Sequence, residues 1–309
     1  MRRITRRLLV AALLAVAVLA GAEIYLRTSG IVDFPLYDVS PSLGYIPKPS
    51  QSGVFLDKNR WTFNDKSMGA GPWNPGGHPN ILLIGNSVIM GGNPYDQPQK
   101  IGPLLEGALD NRYVVWPIAA GGWTDVNEAR YLQQHPEVSS RAGFFVWEYM
   151  HGGLGGLNPW QGEYAFPTRR PLWASGYVFR RYVLPKFISL PVRELPPDEA
   201  ARPENIALFE DRIAALTAGK QSPAGLIFLY PDKAQLLTAR SGAKWLPDKE
   251  FLQRICAAHG VILVDIADDP QWDPSLYRDG VHPSAKGNAV LARILAGHVR
   301  SAIGATGTQ

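Results

Sequence analysis

Two short stretches hold side chains whose types and spacing suit nucleophilic chemistry driven by a proton relay. In Asn80-Ile-Leu-Leu-Ile-Gly-Asn-Ser87, four aliphatic residues run into a Gly-Asn-Ser turn, and the chain leaves that turn through Gly91, Gly92 and Pro94. A serine just past the end of a buried strand stands where ligands bind in open α/β sheets, outside the carboxyl ends of the strands. The second stretch is Asp279-Gly-Val-His282, followed by Pro283-Ser284 and a helical pattern. A short loop containing glycine can fold the Asp279 carboxylate onto one imidazole nitrogen, which fixes the tautomer and leaves the other nitrogen free to take a proton. Taken singly, each of these residues is an ordinary turn residue. Together they predict Ser87 as nucleophile, His282 as general base and Asp279 as its orienting acid, although Ser87 lies 195 residues upstream of His282.

The elements that must bring them together are read from texture. From Asn80 onward, short apolar runs alternate with amphipathic stretches. Strands are expected at 81–84, 113–118, 144–147, 226–230 and 261–264, and helices near 98–109, 124–134, 204–218, 248–259 and 285–300. Continuous apolar strands, each followed by a helix, imply an α/β fold with a doubly wound parallel five-stranded sheet. Its strand ends also carry Gly121-Gly122, Glu148 to His151, and Pro231-Asp232-Lys233. Residues 28–79, rich in Gly, Pro, Asn and aromatics, read as a lead-in packed on the main domain of 80–300, with short strands around Gly53 to Leu56 and Trp61 to Phe63. Residues 152–203 read as an insertion over the sheet edge, where Trp160, Trp173 and Tyr177 either contact a ligand or cover the edge; 301–309 read as a disordered tail.

The N-terminus is MRRITRR followed by fifteen uncharged residues, Leu8 to Ala22. As one helix, residues 8–26 would span roughly 28 Å, about a bilayer core, which predicts a signal anchor over 1–27. Ala20-Gly21-Ala22 also fits signal-peptidase cleavage near Ala22, which would release a secreted form. Arginines before the apolar run place the rest of the chain outside the cytoplasm. The formal charge of +4 is accounted for by Arg2, Arg3, Arg6 and Arg7, so the remainder is neutral and no nucleic-acid partner is expected. The single cysteine, Cys256, excludes an internal disulfide, and no Cys cluster suits zinc. G-x-x-x-x-G-K-[ST], H-E-x-x-H, G-x-G-x-x-G and the G-x-S-x-G elbow are all absent as motifs for the site.

On these residues the sequence resembles the SGNH (GDSL-like) hydrolase superfamily over roughly 80–300. Ile84-Gly85-Asn86-Ser87 matches the first block, with Asn86 where the family usually has Asp, and Tyr277-Arg-Asp279-Gly-Val-His282-Pro283 matches the last. The resemblance implies a flavodoxin-like sheet, a Ser87-His282-Asp279 triad, and an oxyanion hole built from the N–H groups of Ser87 and Gly122. The family's oxyanion asparagine after the third strand has no counterpart in Phe144 to His151, where His151 or Tyr149 would have to substitute. Asn86, Glu148, Tyr149, His151, Trp160 and Trp173 are the expected substrate contacts. Trp147-Glu148 and Pro231-Asp232-Lys233 also resemble polysaccharide O-acetylation proteins, which however carry their Asp-His pair ahead of the serine.

The implied activity is ester hydrolysis or acyl transfer on O-acyl, most simply O-acetyl, groups of an exported glycan, with no cofactor and no metal. The alternatives are an O-acetyltransferase supplied by a multi-pass membrane O-acyltransferase partner, and a non-catalytic carbohydrate-binding or assembly subunit on a decayed hydrolase scaffold. The expected location is the periplasmic face of a bacterial inner membrane.

Overall fold

A computed structural model describes residues 2–188 and 200–306. An apolar helix, α1 (Arg2–Thr28), leads into two antiparallel hairpins, β1 (Tyr37–Ser40) with β2 (Gly44–Pro47) and β3 (Gln51–Phe55) with β4 (Asn59–Phe63). The main sheet is parallel and has the order β6-β5-β7-β8-β9, from β5 (Asn80–Gly85), β6 (Val114–Ala119), β7 (Phe144–Tyr149), β8 (Gly225–Leu229) and β9 (Ile262–Asp265). All five expected strands are present, in the 2-1-3-4-5 order of flavodoxin-like sheets.

Strand β5 shows why the apolar runs carry no alternation. Leu82 and Ile84 pack on one face with Trp116, Phe145 and Trp147, while Ile81 and Leu83 pack on the other with Val115, Val146 and Phe228. Both faces are therefore covered by helices. Helices α4 (Asp125–Gln134), α7 (Pro203–Thr217) and α9 (Lys249–His259) supply the first through residues such as Ala129, Phe209 and Leu252. Helices α3 (Ile101–Ala108), α8 (Lys233–Arg240) and α10 (Ala285–Thr306) supply the second through Leu105, Leu236 and Leu295. Three short helices complete the described chain: α2 (Ser87–Met90), α5 (Pro136–Ser139) and α6 (Ala174–Val178).

One expectation changes. Helix α10 continues through Ser301–Thr306, with Ala302 buried, where a tail was expected to begin; residues 307–309 lie outside the described set, as do 189–199 of the expected insertion. The lead-in forms a hydrogen-bonded cover on the sheet edge, with the Trp123 indole N–H donating to the Tyr45 carbonyl (2.8 Å) and the Asn127 amide to the Leu43 carbonyl (2.8 Å).

Strand β5 ends under tight packing. A Cβ on Gly85 would stand 2.3 Å from Glu148 Oε2 and 2.5 Å from Ile89 Cγ1. Gly85→Ala is expected to lower stability by about 1–3 kcal/mol, read from the urea midpoint, because overpacking moves the β5 end and the Glu148 carboxyl apart. An unchanged midpoint would show slack at that strand end.

Candidate active site

Ser87 opens helix α2 directly after β5. Its predecessor Asn86 is the N-cap: Oδ1 accepts the Val88 N–H (3.0 Å), and the Asn86 N–H donates to Glu148 Oε2 (3.1 Å) at the end of β7. The turn is thus tied to the neighbouring strand. Helix α2 stops after one turn because Gly91 takes a left-handed conformation (φ 73°), with its N–H on the Ser87 carbonyl, and a Cβ there would meet the Lys100 stem at 3.0 Å.

The loop facing it is a closed turn. Tyr277 bridges Pro283, the Arg278 N–H donates to the His282 carbonyl (2.8 Å), and the Ser284 N–H donates to the Leu276 carbonyl (2.7 Å). Tyrosine hydroxyls pin it from outside: Tyr95 donates to the Pro283 carbonyl (2.7 Å) and Tyr230 to the Val281 carbonyl (2.8 Å). Inside the turn, Asp279 Oδ1 accepts the N–H groups of Val281 (2.9 Å) and His282 (2.7 Å). His282 Nδ1 lies 3.0 Å from each Asp279 oxygen, and its Nε2 lies 2.9 Å from Ser87 Oγ. Burial alone would raise the Asp279 carboxyl, but the His282 and Val281 N–H groups and the imidazole outweigh it and hold it down at about 2. The acid therefore stays ionised beside the ring. With Nδ1–H donated to that carboxylate, Nε2 is the acceptor for the serine proton.

Ser87 and His282 open onto a cleft of about 200 Å³ walled by Phe34, Tyr37, Phe166 and Tyr177 and flanked by Arg181 and Arg278. Neither arginine was expected as a cleft residue; Arg278 lies within the block that holds Asp279 and His282, whereas Arg181 lies in a stretch without pattern. Of the Gly121-Gly122 pair, the one that lines the cleft is Gly121, one residue before the expected Gly122. Gly122 instead turns away at φ 73°, its carbonyl accepting the Asn158 amide (2.5 Å). The Gly121 N–H donates to Met90 Sδ (3.1 Å), and no acceptor among the described residues meets the Ser87 N–H.

The other expected contacts do not line this cleft. Asn86 is consumed as the cap, with its amide on Met150 Sδ (3.0 Å). Glu148 and Tyr149 are buried, and the Tyr149 hydroxyl donates to Asp248 Oδ2 (2.8 Å), the same oxygen that His151 Nδ1 reaches at 3.2 Å. Neither Tyr149 nor His151 is therefore placed to replace the missing asparagine. The Trp160 indole donates to the Phe166 carbonyl (2.8 Å), and Trp173 is 76% exposed on the outer surface. Pro231-Asp232-Lys233 is a capping box that starts α8, with Asp232 accepting the Gln235 N–H (2.7 Å).

Behind the nucleophile turn lies a buried carboxyl cluster. Burial pushes Glu148 up to about 8 against the pull of the Asn86 N–H. Burial, with Glu148 nearby, raises Asp125 far above the usual range, and burial with Asp125 nearby does the same for Glu128, whose Oε2 accepts the Trp147 indole N–H (2.7 Å). Glu148 Oε1 and Asp125 Oδ1 meet no partner among the described residues.

No family model and no curated protein matches the chain. Among solved structures it is similar in fold to a carbohydrate acetylesterase family member from Sinorhizobium meliloti, at 15% identity, TM-score 0.40, covering 72% of this chain and 98% of that one. It is also similar to the psychrotrophic esterase EstA from Pseudoalteromonas sp., at 13% identity, TM-score 0.40, over 74% and 99% of the two chains. A carbohydrate esterase family 2 enzyme with a carbohydrate-binding domain, from Corynascus thermopiles, shows 14% identity and TM-score 0.44 over 75% of this chain and 69% of that one.

The raised carboxyls make stability pH-dependent in a definite direction. Between the ordinary carboxylate value of 4.5 and about 8, folded Glu148 keeps a proton that the unfolded chain has released. Its contribution is complete below that window and is lost as pH rises through about 8, with a slope of about 1.4 kcal/mol per pH unit. Glu148→Gln keeps an acceptor for the Asn86 N–H and should flatten this part of the decline. Melting temperatures of both proteins across the window check it; parallel curves would contradict the assignment.

Proposed function

We propose that the chain is an SGNH-type serine esterase acting on O-acyl groups of an exported glycan, held at the outer face of the membrane by α1. The observation that carries the reading is the unbroken line from Ser87 Oγ to His282 Nε2 (2.9 Å) and from His282 Nδ1 to the Asp279 carboxylate (3.0 Å). It opens on a cleft with aromatic walls, and such walls suit the flat faces of sugar rings. The motif resemblance over 80–300 supports the same reading, and the apolar length of α1 supports export.

In this reaction the Ser87 Oγ–H proton passes to His282 Nε2 as Oγ bonds to the ester carbonyl carbon. The carbonyl oxygen becomes an oxyanion facing the N–H groups of Ser87 and Gly121. Collapse breaks the bond to the leaving alkoxide, which takes the proton from Nε2 and leaves an acyl-serine. Water then attacks the acyl carbon, gives its proton to His282, and releases the acid as Ser87 regains its hydrogen. The Asp279 carboxylate keeps the ring oriented and offsets its charge while it is protonated.

A fluorophosphonate probe should add to Ser87 in the full-length protein and fail to add to Ser87→Ala. Release of acetate from an aryl acetate should fall by about 10³-fold or more in Ser87→Ala, and steeply in Asp279→Asn, while circular dichroism and the melting curve stay close to those of the parent. Equal rates in parent and Ser87→Ala would sink the enzyme and favour a non-catalytic glycan-binding role. Transfer of acetyl to an added sugar in preference to water would instead identify an O-acetyltransferase.

A further inference from the structure

The residues Leu172 to Ile188 present an outer face that the cleft does not use. Leu172 is 86% exposed, Trp173 76%, Phe179 54%, Phe187 79% and Ile188 56%. Large apolar side chains exposed together on one segment mark a contact surface rather than ordinary surface scatter. The same segment carries Arg180, Arg181 and Lys186 and no acidic residue. On its inner side Ala174 is buried, Tyr177 stacks on Phe34 with ring centroids 5.0 Å apart, and Tyr177 and Arg181 line the cleft.

What lies against the outer face follows from how the segment is tied to α1. The run Ile4–Thr28 contains an 18-residue window with a mean hydropathy of 2.3 and is long and apolar enough to cross a bilayer, with side chains such as Leu13, Leu14, Val16 and Leu19 more than 60% exposed. Near its outer end, Glu23 accepts the Ala174 N–H, the Ser175 N–H and the Ser175 hydroxyl, each at 2.9 Å. Arg27 pairs with Glu23 at 2.7 Å and donates to the Leu172 carbonyl. Residues 8–26 rise roughly 28 Å, so Glu23 stands about one helical turn inside the far boundary of a hydrocarbon layer about 30 Å thick, and Arg27 at that boundary. Leu172 and Trp173 adjoin the residues bonded to Glu23 and so share its depth. That is the level at which tryptophan, with its apolar body and one N–H, is most at home.

We propose that the segment Leu172–Ile188 lies in the headgroup region of the membrane that α1 crosses, with Leu172, Trp173, Phe179 and Phe187 among the upper acyl chains and Arg180 and Lys186 against anionic lipid headgroups. The occupant of this face is lipid. Continuity with α1 fixes its depth, and two cations, Arg180 and Lys186, on a segment without an acid fit an anionic surface. Because Tyr177 and Arg181 belong to the same segment, one wall of the cleft is then held at the bilayer surface, and substrates reach it there. The inference rests on α1 being a retained anchor and is independent of whether Ser87 is a nucleophile.

The test uses the full-length chain in lipid nanodiscs, with spin labels placed singly at Trp173→Cys, Phe187→Cys and, as an aqueous control, Lys244→Cys. The native Cys256 is buried and its thiol is pushed up to about 12 by burial, so it stays unlabelled. The labels at 173 and 187 should relax with dissolved oxygen and be several-fold less accessible to a water-soluble nickel reagent than the label at 244. Arg180→Gln with Lys186→Gln should remove the added shielding that phosphatidylglycerol gives over phosphatidylcholine. Equal nickel access at 173, 187 and 244 would overturn the proposal. So would an intact mass showing loss of residues 1–22, or shielding found only in native membranes and absent in nanodiscs, which would assign the face to a protein partner.

Discussion

One hydrogen bond of 2.9 Å, from Ser87 to His282, joins positions 195 residues apart, and most of what is ordered around it constrains one end or the other. The parallel sheet supplies the first constraint, because its strands end at a common edge. Each loop is then trimmed locally. The serine turn is held by its own cap and by Glu148 on the adjacent strand, while the histidine turn is closed by the Tyr277–Pro283 bridge and by tyrosine hydroxyls on its carbonyls. Each such bond contributes only about 0.5–1.5 kcal/mol net. Several acting on one eight-residue turn fix the imidazole where a free loop would let it wander.

The Glu148 contact has a cost that explains its environment. A full negative charge in that buried position would be strongly unfavourable, and among the described residues no cation pairs with it. Holding the carboxyl neutral resolves the conflict: it still accepts the Asn86 N–H, and the Ser87 turn sees a dipole rather than a charge. Asp125 and Glu128 are held neutral by the same burial, and any charge on Glu148 would raise them further.

The sheet was readable in sequence because strands buried on both faces announce themselves as unbroken apolar runs, and Asp279-Gly-Val-His282 was readable because its chemistry is local. Other features were not local. Tyr149 and His151 are 99 and 97 residues from Asp248, the partner that withdraws them from the cleft, and no pattern near Trp147 reports that distance. Gly121 and Gly122 are adjacent and identical in type, so only the positive φ of the second decides which of them faces the cleft. The hairpin of β1 and β2 is four residues a side, too short to show a period against its flanking Gly and Pro.

The proposed oxyanion site has a small donor set that could still favour a transition state. In the free protein the Gly121 N–H rests on the Met90 thioether, which also receives the Tyr37 hydroxyl at 3.8 Å. Sulfur is a weak acceptor on a flexible, polarisable side chain that moves aside at little cost. In the proposed reaction, an ester carbonyl entering the cleft exchanges that contact for an oxygen, and the gain grows as the oxygen takes on negative charge, since bonds to ionised acceptors are about twice as strong as neutral ones. A strong resting acceptor would have to be displaced at full cost before any charge developed. In the proposed reaction the methionine would leave most of the N–H bonding strength unspent until the tetrahedral state, where it would lower the barrier rather than deepen the ground state.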